Sequence, residues 1–186
     1  MALRRRNIII VFYLLASLPA CSDFRAIFNG KPGGQVAKQG KESDEKEHHQ
    51  KPPQGSQGYF TWPLQAPVSS LYGTRRGRFH DGIDIDGESG DPIVAAAAGR
   101  VVYSGKLGGY GRLIVIKHDN GYFTAYAHNE NNAVKKGDEV SQGQLIGRVG
   151  ATGSATGDHL HFEVRDKKGT YDPLDFLPQE RYSRNR

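Results

Sequence analysis

The chain has 186 residues, enough for one ordinary domain with length to spare. Only 37% of them are apolar, so part of the chain has little to pack, and 24 glycines argue for many turns and an all-β domain rather than a helical bundle. The net charge of +5 is too mild to argue for a nucleic-acid partner, the more so because Arg4, Arg5 and Arg6 fall in a leader read below as removed.

The first element, residues 1–20, reads as an export signal. "MALRRRN" supplies the positive start, and the mostly apolar run Ile8 to Ala20 has the length of a signal core but falls short of the ~20 residues a membrane-spanning helix needs. Cys21 follows at once and is the only cysteine, so no internal disulfide is available. "LPAC" resembles the lipobox of bacterial lipoproteins, with Leu18 and Ala20 in the expected places and Pro19 a departure. This predicts acylation of Cys21, with an idle thiol after simple secretion as the blander reading. Resemblance to enterobacterial lipoproteins further implies, from Ser22 rather than Asp after the cysteine, the periplasmic face of the outer membrane.

Residues 21–58 read as a tether built from Gly, Pro, Gln, Lys and Glu, with a mean span of roughly 30–37 Å as a flexible coil. His48 and His49 lie in this solvated charged run and are read as surface rather than as metal ligands. From Tyr59 the texture changes to short strands punctuated by glycine, and residues 59–178 read as the folded domain. "DPIVAAAAG" has too few residues between Pro92 and Gly99 for a stable helix and is read as extended or irregular. "RLIVIKHDNGYFTAYAHN" predicts two strands joined at Asp119-Asn120-Gly121. Alternation in its second arm places Tyr122, Thr124, Tyr126 and His128 on one face and Phe123, Ala125 and Ala127 on the other. His118, just before the turn, is expected to be exposed. "GRVVYSG", "GQLIGRVG" and "HLHFEV" are further strands, "DPLDFLP" is the one plausible helical turn, and residues 179–186 form a tail.

Chemistry concentrates in a few polar positions of these strands. His159, His161 and Glu163 point to one face while Leu160, Phe162 and Val164 point to the other. In "RFHDGIDIDG", His80 precedes Asp84 by four residues, about 13 Å apart on an extended strand, too far to share one metal. A reversal at Asp81-Gly82 would bring them together, with Ile83 and Ile85 inward and Asp84 on the polar side. One carboxylate, two imidazoles and an open fourth position would make a catalytic zinc site.

His80-x-x-x-Asp84, "YAH" ending at His128, and His159-x-His161, in that order, resemble the lysostaphin/LytM family of zinc metallopeptidases, which cut peptide cross-links in bacterial cell walls. The resemblance runs from Phe60 to Leu177 through "SSLYGTR", "HDGIDI", "AAAAGRVVYSG", "VKKGDEVSQGQLIGRVGATG" and "TGDHLHFEV". It implies a glycine-rich antiparallel β-sheet or sandwich and one zinc per domain. His80, Asp84 and His161 match the family's zinc ligands, and His128 and His159 its two catalytic histidines. There is no HExxH and so no glutamate base of the thermolysin kind, which leaves one or both of His128 and His159 to take the proton. Arg75 sits where the family often has an arginine and could bind a substrate carboxylate. Tyr72 and Tyr126 could donate to an oxyanion, although strand aromatics are more often packing. Glu163 could orient a ligand but is read first as a solvated strand residue. Asp158 departs from the proline common before the family's HxH.

Two functions from different classes follow. The first is a membrane-tethered zinc endopeptidase that hydrolyses peptidoglycan cross-links. The second is a non-enzymatic activator of a separate cell-wall amidase, since lipoproteins with this domain do that in enterobacteria. Activators of that kind have typically lost several site residues, whereas all five positions here hold the catalytic types. Expected partners are therefore the wall cross-links, a membrane through Cys21, and an amidase or regulatory lipoprotein.

Overall fold

Strand boundaries follow the punctuation of the sequence, because each glycine- or Asp/Asn-bearing turn ends one run of alternating side chains and starts the next. The computed structural model describes residue 27 and residues 54–56, 58–75 and 77–179. The expected leader, Cys21, His48 and His49, and most of the tether and tail lie outside the described residues.

In chain order the strands are β1 (Val68–Ser70), β2 (Gly73–Arg75), β3 (Arg78–His80), β4 (Ile83–Asp86), β5 (Pro92–Val94), β6 (Gly99–Leu107) and β7 (Gly111–Lys117). They continue as β8 (Phe123–Asn129), β9 (Asn131–Asn132), β10 (Glu139–Val140), β11 (Leu145–Arg148), β12 (His159–Arg165) and β13 (Thr170–Tyr171). The large sheet runs β1-β4-β12-β8-β7-β6-β10, with β13 also on β12. A smaller sheet, β5-β11-β9, and the hairpin β2-β3 complete the set, and the pairings among these strands are antiparallel. The all-β antiparallel expectation therefore holds. The alanine run stays non-helical after β5, and "DPLDFLP" forms only a single 3-10 turn, Pro173–Asp175, capped by Asp172 accepting from the Leu174 N–H at 3.0 Å.

Both faces of the large sheet are covered. Ile83, Ile85, Leu160, Phe162 and Val164 meet Ile93 and Ile146 of the smaller sheet, and Val149 just after it, in the main core, each contributing roughly 1.5–3 kcal/mol on burial. On the other face, Leu113, Val115, Phe123, Ala125 and Ala127 form a second apolar cluster. β12 lies in the middle of the large sheet, between β4 and β8, and so carries its polar face into the place where several strands can contribute side chains at once.

Candidate active site

β3 ends at His80 and β4 begins at Ile83, and the chain turns at Asp81-Gly82 between them. The reversal brings His80 Nε2 to 3.0 Å from Asp84 Oδ1. His161 joins because it is the register partner of Asp84 on the neighbouring strand, and directly opposed side chains share a face. Its Nδ1 lies 2.9 Å from Asp84 Oδ1 and 3.1 Å from His80 Nε2.

The far nitrogens of both rings are already engaged. His80 Nδ1 lies 2.8 Å from the Leu71 carbonyl, which can only accept, so Nδ1 carries the proton. His161 Nε2 donates likewise to the Glu163 carboxylate at 3.0 Å. In their neutral forms, both rings thus aim lone pairs at one another and at the Asp84 oxygen, an arrangement that needs a cation at its focus. Tetrahedral zinc, with bonds of about 2.0–2.1 Å, sets its ligands about 3.3 Å apart, so the donor types and spacing fit it.

Electrostatics agree with that fit. Burial opposes a charge on His161, but hydrogen bonds from it to Asp84 and Glu163, and their charges, push the imidazole up to about 9. Burial also opposes ionisation of Asp84, yet the His161 and His80 hydrogen bonds hold its carboxyl well below the usual range. Without a metal, a proton on His161 therefore offsets the Asp84 charge, and a metal ion would displace it.

Glu163 is fully buried, which corrects its reading as a solvated residue. It accepts from His161 Nε2, from Tyr110 Oη at 2.9 Å and from Arg165 Nη1 at 2.8 Å. Burial would raise its carboxyl, but the Arg165 charge and the His161 and Tyr110 hydrogen bonds hold it at about 2. It stands behind the His161 imidazole and fixes the ring's orientation towards Asp84 and His80. The strand period offered a signal, since Arg165 continues the face of Glu163 and supplies its counter-charge.

The two remaining histidines stand beside this group. The His159 and His128 rings are 4.8 Å apart, and His128 is 5.9 Å from the His161 ring. His159 Nδ1 donates to the Gly157 carbonyl at 2.9 Å, and His128 Nδ1 to the Thr152 carbonyl at 2.8 Å. In its neutral form each ring carries its lone pair on Nε2, and His159 Nε2 lies 3.8 Å from Asp84 Oδ1. Burial pushes the His128 imidazole down, outweighing the Thr152 bond, so the ring is neutral near pH 7.

His128 does not share the Tyr126 face that strict alternation predicts. Arg112 pairs with Asn129 and Ile114 with Tyr126, so Ala127 and His128 together oppose Leu113 in a β-bulge. His128 takes φ 65° there, and its ring turns towards His159 and His161.

These side chains line a cavity of about 500 Å³, together with Arg75, Phe79, Asp81, Tyr110 and the wall Ser154–Thr156. Arg75 stands at its rim, 3.4 Å from Asp84 Oδ2. Tyr72 and Tyr126 are outside it, so the packing reading describes them and the oxyanion alternative does not. Tyr72 Oη donates to the Thr170 carbonyl at 3.0 Å, with its ring edge-on to Phe79. Tyr126 is wholly buried in the main core, where its hydroxyl accepts from the Ala96 N–H at 2.8 Å. His118 is buried rather than exposed, held by the Ala98 carbonyl and Thr124.

Comparison with known proteins places this geometry. Murein hydrolase activator NlpD of Escherichia coli K12 is 46% identical over 121 residues, 64% of this chain. Outer membrane antigenic lipoprotein B of Haemophilus influenzae is 41% identical over 128 residues, 68% of this chain. In each case the match spans 31% of the relative, about a third of its length. Among solved structures, a zinc containing peptidase from Vibrio cholerae aligns with TM-score 0.58 and 34% identity, over 62% of this chain and 39% of that one. The catalytic domain of lysostaphin from Staphylococcus simulans aligns with TM-score 0.57 and 31% identity, over 60% of this chain and 91% of that one. Residues 78–173, which carry His80, Asp84, His128, His159 and His161, match peptidase family M23, and the chain belongs to that family.

Proposed function

We propose that the domain is a zinc-dependent endopeptidase that hydrolyses peptide cross-links of peptidoglycan. The observation that carries this reading is the convergence of His80, Asp84 and His161 in a cavity that His128 and His159 also line. His80 Nε2, Asp84 Oδ1 and His161 Nδ1 would hold the metal. Zinc there would supply Lewis-acid chemistry, polarising a peptide carbonyl and acidifying water.

The chain's own residues account for the proton movements. A water that attacks the carbonyl must lose a proton, and the leaving amine must gain one. His128 and His159 each present an Nε2 lone pair on the cavity side, and either can take the first proton and return it. The other imidazole, once protonated, can donate to the tetrahedral oxyanion. Arg75 at the rim offers a guanidinium to a carboxylate of the stem peptide. Names of relatives as lipoproteins support a tether through acylated Cys21 to an envelope membrane, with the domain facing the wall.

A second reading has its own observation. The relative that is 46% identical is named a murein hydrolase activator, and that name favours activation of a separate amidase over direct cleavage. One experiment separates the two. Zinc-loaded full-length protein is incubated with purified cross-linked muropeptides, and monomers are counted by chromatography. The peptidase reading expects new monomers, lost by about 10²–10⁴-fold in His128→Ala with zinc retained. Zinc binding with no new monomers, together with stimulation of a wall amidase, would put the activator in its place.

A further inference from the structure

His128 is the one non-glycine among the described residues with a left-handed backbone. That conformation costs a non-glycine residue about 1–3 kcal/mol and persists only where the surroundings over-determine it. The over-determination comes from Thr152, in the loop before β12. Its carbonyl accepts from His128 Nδ1 at 2.8 Å, and its N–H donates to the His128 carbonyl at 3.3 Å. Its hydroxyl accepts from the Arg112 N–H at 2.9 Å and donates to the Asn129 carbonyl at 2.8 Å.

Arg112 and Asn129 are register partners at the mouth of the bulge, so one hydroxyl joins the two strands where their ladder is interrupted. Two glycines make the approach possible. A Cβ on Gly111 would strike the Thr152 backbone and hydroxyl, and one on Gly153 would strike Gly109 O and Gly111 N. Ser154 N–H donates to the Gly109 carbonyl at 2.9 Å and extends the attachment along the cavity wall.

We propose that Thr152 is a positioning residue for His128, holding the bulge so that the ring stands in the cleft with Nε2 unprotonated. The catalytic consequence rests on the peptidase reading above; the geometric one does not. Thr152→Val keeps the shape and removes both hydroxyl bonds, and Thr152→Ser keeps them. Long-range ¹H–¹⁵N NMR of the zinc-loaded full-length protein reads the His128 tautomer whether or not anything is cleaved.

Wild type and Thr152→Ser are expected to show the Nδ1–H form of His128, and Thr152→Val a mixture of tautomers at unchanged zinc content. With cross-linked muropeptides, kcat should fall about 10–100-fold in Thr152→Val at unchanged KM and recover in Thr152→Ser. An unchanged His128 signal in Thr152→Val overturns the inference, as does an Nε2–H form in wild type, a result that needs no variant to fold. If wild type cleaves nothing, the peptidase reading fails while the NMR comparison still decides the role of Thr152.

Discussion

His118 and His161 are both buried, at 2% and 7% exposure, yet they are satisfied in opposite ways. His118 closes a network. Its Nδ1 lies 2.8 Å from the Ala98 carbonyl, its Nε2 2.8 Å from Thr124 Oγ1, and Thr124 Oγ1 2.9 Å from Tyr126 Oη. The chain of polar groups ends on the Ala96 N–H, which donates to Tyr126 Oη at 2.8 Å. His161 instead sits between two carboxylates and points a third contact at another imidazole lone pair. Both are buried, although His118 lies just past the end of β7 and His161 within β12. What differs is the partners: His118 meets a carbonyl and a hydroxyl, whereas His161 meets two carboxylates and a second imidazole, the surroundings a metal ligand needs.

Mutation tests that contrast most directly at the metal end. His161→Ala removes one of the three proposed ligand atoms, and zinc measured by atomic absorption should drop from about one per chain to none. His118→Ala should leave zinc content unchanged, and loss of metal there would erase the distinction. A smaller effect is expected one shell out. Glu163→Gln keeps the size but weakens the acceptor behind His161 and removes the charge that faces Arg165, so zinc affinity measured by chelator competition should fall about 10–100-fold.

The smallest effect lies at the closed network. Burial pushes the His118 imidazole below its ordinary value of 6.5, outweighing the Ala98 hydrogen bond. Above 6.5 the ring is neutral both folded and unfolded. As pH falls through 6.5 the unfolded chain takes up a proton that the folded ring refuses, so stability is lost until the folded ring also protonates. Denaturation midpoints of the zinc-loaded protein should fall over that window, and less steeply in His118→Gln.

Much of the architecture was legible before any coordinates. The Asp119-Asn120-Gly121 hairpin lies between β7 and β8, Ile83 and Ile85 face the core around Asp84, and Leu160, Phe162 and Val164 do so around His161. A period of two and good turn residues suffice for such features. The misread positions share one cause. Alternation assigns a face but not what covers it, so Glu163 and His118 were read as solvated when neighbouring strands and loops bury them. Tyr126 was offered to the cleft because its face was known and its depth was not.

His128 marks the boundary most sharply. By itself the sequence determined which strands form, which of their faces are apolar, and that His80, Asp84, His159 and His161 lie on polar positions, because these depend on local period and turn chemistry. Only the tertiary structure decided that His128 leaves the core face for the cleft, since that depends on a bulge opposite Leu113 and on Thr152, 24 residues along the chain. The same holds for the opposed register of Asp84 and His161, which a slip of one residue would send to different faces. Contacts between distant segments carry those choices, and no local pattern encodes them.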